Sequence, residues 1–171
     1  KRQDEDRDSR KLKFPDRLRL VQKNKEEGTE LFKGGNYRPA AARYNKALTH
    51  AAKFHDLSPE QTAEVEALKL SLHLNLAMCW LKITDAETHL DQAIRSFTDA
   101  LKIDPRSVKA LYRRATALEQ KKDYDGAKAD LKLAAEIDPA DISVPKLIAR
   151  VDAQIKRQLD KEKKMYGKMF G

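Results

Sequence analysis

A single cysteine, Cys79, stands in the whole sequence, so no disulfide can form within one chain and a disulfide-stapled secreted framework is excluded. It sits in the apolar run Leu76-Ala77-Met78-Cys79-Trp80-Leu81 and reads as core packing in a protein of a reducing compartment, the cytoplasm or the nucleus. Glycine and proline are scarce, six of each among 171 residues, which excludes a loop-rich or low-complexity chain. Long hydrophobic runs are missing too. The least polar stretch, Leu70 to Leu81, is interrupted by Ser71, His73 and Asn75 and is too short to cross a bilayer. Neither a signal peptide nor a lipidation signal is visible.

The usual signatures of catalysis are also absent. His50, His55, His73 and His89 lack metal-ligand spacing with one another or with Cys79. Asp123-x-Asp125-Gly126 begins like a calcium loop but lacks the later acidic ligands, and its position suits a turn between helices. There is no glycine-rich phosphate loop and no nucleophile elbow. The sequence therefore predicts no cofactor, no metal and no catalytic centre in this segment.

What the chain does carry is basic charge and a repeat. A formal net charge of +8 favours an acidic partner, whether a peptide, a nucleic acid or an anionic membrane surface. The bases are interleaved with 27 acids and no nucleic-acid module is recognisable, which disfavours nucleic acid. Ala93, Phe97, Ala100 and Pro105 recur as Ala127, Leu131, Ala134 and Pro139, each displaced by 34 residues. Such a period on helical spacing predicts stacked helix pairs: small residues let helices approach, and the proline follows the end of the second helix. Ala40, Tyr44 and Ala47 repeat the same spacing earlier in the chain.

An all-α fold follows, with three helix-turn-helix repeats at about 21–54, 70–107 and 108–141. Residues 1–14 mix acids and bases with few apolar side chains and read as a linker. The start on Lys1-Arg2-Gln3-Asp4, without methionine, suggests a piece of a longer protein. Helical structure should begin near Phe14-Pro15-Asp16 and stop at Gly34-Gly35-Asn36. Residues 55–69 form an insertion in which Leu57-Ser58-Pro59-Glu60 caps a long helix. Turns are expected at Thr84 to Thr88 and at Asp123-Tyr124-Asp125-Gly126. The repeat region spans 15–142, and a last helix occupies 143–171, with Leu147, Val151, Ile155 and Leu159 on one face. Its first half should cap the stack and its second half project.

These residues resemble the tetratricopeptide repeat, whose first helix carries a small residue at its eighth position (Gly28, Ala77, Ala115) and whose second carries the Ala, large, Ala, Pro series. More narrowly, Asn75-Leu76-Ala77-Met78-Cys79, Lys109-Ala110-Leu111-Tyr112-Arg113-Arg114 and the closing Glu162 to Phe170 resemble the C-terminal half of the large FKBP-type immunophilins. The resemblance implies three repeats in a right-handed superhelical stack, a seventh helix, and an upstream peptidyl-prolyl isomerase domain. It also implies a two-carboxylate clamp for the C-terminal Glu-Glu-Val-Asp of heat-shock protein 90 and, in some relatives, of heat-shock protein 70. Carried over position by position, the clamp falls on Lys25, Asn75, Lys109 and Arg113. Thr29 stands where an asparagine is common, as it does in many immunophilins.

The chemistry suits such a ligand. A peptide ending in aspartate presents two carboxylates close together, and burying both demands several converging donors. Lys109 and Arg113 are four apart and share a helix face; Lys25 and Asn75 occupy the equivalent face of the first helices of the two preceding repeats. Charge-assisted hydrogen bonds contribute roughly 1.5–3 kcal/mol each. The Asn75 amide can donate without burying another charge, and Phe32 offers an apolar contact for the ligand's side chains. Blander readings stand beside these: Lys25, Lys109 and Arg113 as solvated surface residues, adjacent Arg114 likewise, and Asn75 as a satisfied core amide. One rival function lies in the basic tail Lys156 to Lys168, which with Met165, Tyr166, Met169 and Phe170 suits calmodulin or an acidic surface; a second is a scaffold whose clamp takes a different acidic C-terminus.

Overall fold

The computed structural model describes residues 12–171 of the chain, and most of the expected 1–14 linker lies outside the described residues. Among them are seven helices and no strand: α1 Phe14–Lys33, α2 Tyr37–Ala51, α3 Pro59–Lys82, α4 His89–Ile103, α5 Val108–Gln120, α6 Tyr124–Ile137 and α7 Ser143–Phe170. They divide into two compact units, one ending at Pro105 and holding α1 to α4, the other comprising Arg106–Gly171 and holding α5 to α7.

In the first unit α1 packs on α2, α2 on α3 and α3 on α4. Pro15 occupies the first turn of α1, where its missing N–H costs nothing. The helix ends in a Schellman motif: the Asn36 N–H donates to the Leu31 carbonyl (2.9 Å), the Gly35 N–H donates to the Phe32 carbonyl (3.0 Å), and Gly35 takes the left-handed φ of 78°. Ser58 opens α3 with a reciprocal capping box, its hydroxyl accepting from the Gln61 N–H while the Gln61 side chain accepts from the Ser58 N–H.

The repeated small and large residues make the core. Ala40, Tyr44 and Ala47, then Ala93, Phe97 and Ala100, then Ala127, Leu131 and Ala134 are all no more than 2% exposed. Cys79 is buried among Leu72, Leu76 and Ile83; desolvation pushes its thiol up to about 12, so it stays protonated and inert. Gly28 marks the closest approach of α1 to α2, since a Cβ there would lie 2.8 Å from Cε1 of Tyr44. The ring cannot easily yield, because its hydroxyl is bonded to Thr29 Oγ1 at 3.0 Å. Gly28→Ala is therefore expected to lose about 1–3 kcal/mol of stability in urea titration, and an unchanged midpoint would show that the ring moves aside freely.

In the second unit α5 packs on α6 and α6 on α7. Ser107 and Asp123 cap α5 and α6 by accepting from the N–H groups of Ala110 and Gly126. Helix α6 already begins at Tyr124, so the turn before it is tighter than the expected Asp123-Tyr124-Asp125-Gly126. It is closed by a second Schellman motif, with the Asp123 N–H on the Leu118 carbonyl (2.9 Å), the Lys122 N–H on the Glu119 carbonyl (2.9 Å), and Lys122 at φ 65°.

Two bidentate ion pairs tie α5 to its neighbours. Arg114 Nε and Nη2 donate to Asp130 Oδ2 and Oδ1 at 2.7 and 2.6 Å. Arg150 Nε and Nη2 donate to Glu119 Oε2 and Oε1 at 2.8 and 2.6 Å. Arg114 is thus a structural residue, not the solvated one its position next to Arg113 suggested. Helix α7 buries Val144, Leu147 and Val151, after which cover is lost: Ile155 is half-buried, and Leu159, expected on the same face, is 53% exposed. At 28 residues α7 is about 42 Å long, and its distal half stands free of α6.

Candidate functional site

The residues singled out by their repeat positions fall two in each unit, with Thr29 and Phe32 also in the first. On α1, Lys25 and Thr29 are half-buried one turn apart. With Gln22, Glu26 and Glu30 of the same helix and Leu68 of α3 they line a hollow of about 430 Å³. Thr29 Oγ1 donates to the Lys25 carbonyl at 3.0 Å, which leaves the Tyr44 hydroxyl to donate to Thr29. Burial raises the Tyr44 phenol above its ordinary pKa, and this keeps that donor protonated.

Asn75 stands on α3 two turns beyond Leu68, on the same stripe of that helix. It is half-buried and its amide makes no hydrogen bond among the described residues, so it is not the satisfied core amide that its apolar surroundings allowed. Phe32 is placed differently. Its ring packs edge-on against Tyr37 with centroids 5.2 Å apart, at the margin of the core, and it does not line the hollow.

In the second unit Lys109 and Arg113 lie one turn apart on α5, Lys109 exposed and Arg113 half-buried. Neither has an ion-pair partner among the described residues, and the same holds for Lys25. The contrast with Arg114 and Arg150, both locked onto buried carboxylates, separates cations used by the fold from cations left available. Sequence reasoning missed Tyr44 as the group that orients Thr29, and it missed Glu26 and Glu30, which share the hollow with Lys25, the single cation among the described residues lining it. The i,i+4 spacing of Glu26 and Glu30, beside the i,i+4 pair Lys25 and Thr29, held the signal for the latter.

Among the described residues there is no group of three or more histidine, cysteine, aspartate or glutamate side chains placed to hold a metal ion, and no helix is long and apolar enough to cross a membrane.

Residues 86–151 match the tetratricopeptide repeat family. The mouse peptidyl-prolyl cis-trans isomerase FKBP4 is 36% identical over 154 residues, covering 89% of this chain and 33% of the relative. The chain thus spans about a third of the length of that curated relative. Among solved structures, the C-terminal TPR-containing domain of an FK506-binding protein from Plasmodium falciparum superposes with a TM-score of 0.75 at 25% identity, covering 88% of this chain and 97% of that one. The Hsp90 co-chaperone Cns1 from Saccharomyces cerevisiae gives 0.72 at 25% identity, over 89% and 44%. The chain has the tetratricopeptide-repeat fold, matches that family's model over residues 86–151, and has homology to the tetratricopeptide-repeat region of FKBP4.

Proposed function

We propose that this segment docks a larger immunophilin onto a cytoplasmic chaperone by gripping the acidic C-terminal Glu-Glu-Val-Asp peptide of heat-shock protein 90 and, by the same chemistry, of heat-shock protein 70. The observation that carries the reading is that Lys25, Lys109 and Arg113 are uncommitted cations, and Asn75 an uncommitted amide, on the first helices of the three repeats in a chain whose Arg114 and Arg150 are firmly paired. The likeness to a co-chaperone structure supports the choice of partner. Lys109 and Arg113, one turn apart, supply paired cations for the terminal carboxylates, while Lys25, Thr29 and Asn75 contribute donors along the peptide. Because Glu26 and Glu30 border Lys25, acidic residues of the ligand are best accommodated away from that rim. In this reading residues 15–142 are the docking region, 143–171 a capping helix with an extension, and the isomerase named in the relatives resides in another part of a longer protein. The segment recruits; it does not catalyse.

Titration with a free Glu-Glu-Val-Asp peptide and with its C-terminally amidated form tests this directly. Amidation removes one of the two terminal carboxylates, so affinity should fall on the order of tenfold or more. Equal affinity for acid and amide would reject the clamp.

A second reading has one observation in its favour. Leu159, Met165, Tyr166, Met169 and Phe170 are exposed on a helix end rich in lysine, the composition of a calmodulin target. In this second reading, ending the chain after Leu159 abolishes calcium-dependent calmodulin binding and spares peptide binding.

A further inference from the structure

The second unit holds a cationic recess that takes no part in the proposed peptide contacts. Lys122 from the α5–α6 turn, Tyr124 at the start of α6, and Gln154, Arg157, Gln158 and Lys161 of α7 line a hollow of about 330 Å³. No carboxylate of the described residues lines it, whereas the hollows along α1 combine bases with Asp16 or with Glu26 and Glu30. Lys122, Arg157 and Lys161 have no ion-pair partner among the described residues. Three like charges gathered in one recess repel one another, and an anion relieves that repulsion.

Two separate observations single out this recess. Lys122 occupies left-handed backbone at φ 65°, and the equivalent cap position of α1 is Gly35. A lysine there bears a conformational cost that glycine avoids, and strain of this kind points to a use for the side chain. The Oε1 atom of Gln154 is buried with no hydrogen-bond partner among the described residues. With the amide turned over, its NH2 group is a donor that a bound acceptor would satisfy.

We propose that the recess is an anion site for a phosphate monoester. Such a group carries close to two negative charges near neutral pH and several acceptor oxygens, which suits one guanidinium fork and two ammonium groups better than a single carboxylate does. The hollow has more room than a bare ion needs, and the remainder accommodates the organic group to which the phosphate is attached.

Amide NMR titration of the whole chain with O-phosphoserine, with inorganic phosphate and with chloride at matched ionic strength tests the site. O-phosphoserine should give saturable shifts in residues 122–125 and 154–161, and inorganic phosphate the same pattern at weaker affinity. Arg157→Gln and Lys122→Gly should each weaken binding at least fivefold. The latter relaxes the left-handed backbone, so its thermal midpoint should be equal to or above the parent's, which removes misfolding as an explanation. Lys109→Ala should leave these shifts unchanged. Shifts that chloride reproduces, shifts confined to the amides around Lys109 and Arg113, or a response to inorganic phosphate without one to O-phosphoserine would overturn the proposal.

Discussion

Arg114→Ala should destabilise the Arg106–Gly171 unit by about 3–5 kcal/mol, the range found when one partner of a buried ion pair is removed. The Asp130 carboxylate, its side chain 8% exposed, accepts both of its short bonds from this one guanidinium. Without Arg114 it keeps the desolvation cost and loses the charge that offsets it. Asp130→Asn should cost less, because a neutral amide tolerates the site better than an orphaned charge. Exchanging both residues for apolar ones of similar volume, as in Arg114→Met with Asp130→Leu, should recover most of the loss. Urea unfolding followed by far-ultraviolet dichroism reads all three. If Arg114→Ala unfolds within ~0.5 kcal/mol of the parent, a margin typical of surface substitutions, the pair is ornamental and α5 is held to α6 by apolar packing alone.

The second large effect is on binding. Lys109→Ala and Arg113→Ala should each weaken the Glu-Glu-Val-Asp peptide on the order of tenfold to a hundredfold, corresponding to about 1.5–3 kcal/mol per charge-assisted contact. The double variant should approach the product of the two if each side chain holds a different oxygen, and fall well short of it if both serve one carboxylate. Neither substitution removes a bond the fold uses, since neither side chain has an ion-pair partner among the described residues. Thermal midpoints should therefore stay near the parent's. Added salt should weaken the parent's binding and have less effect on the double variant. Calorimetry at two ionic strengths gives both numbers, and affinities unmoved by either substitution would remove α5 from the site.

Much of the fold is legible in the residues alone because it rests on local rules. Small residues recurring at helical spacing have to be buried where helices meet, and Gly28, Ala77 and Ala115 are. Ser58 and Gln61 form the capping box that their spacing announces. Partner choice among charges was less legible. Arg113 and Arg114 are adjacent and chemically identical, yet one is uncommitted and the other is locked to Asp130, sixteen residues away. That distinction depends on which side of α5 meets α6, and the half-buried Tyr112, Thr116 and Leu118 blur the apolar stripe that would mark that side. Leu159 continues an apolar stripe perfectly well in sequence, and only the length of α6 leaves it bare. The strained Lys122 was invisible because lysine gives no turn signal of its own.

The bare end of α7 also decides where oxidants would strike. Met165 and Met169 are 65% and 73% exposed, while the one thiol of the chain is sealed in the first unit and held in its unreactive form. Peroxide would convert the thioethers to polar sulfoxides along an apolar strip and leave both packed units intact, a change that sulfoxide reductases can reverse. Any contact made through that strip would be redox-tunable, independently of the folded body that carries it.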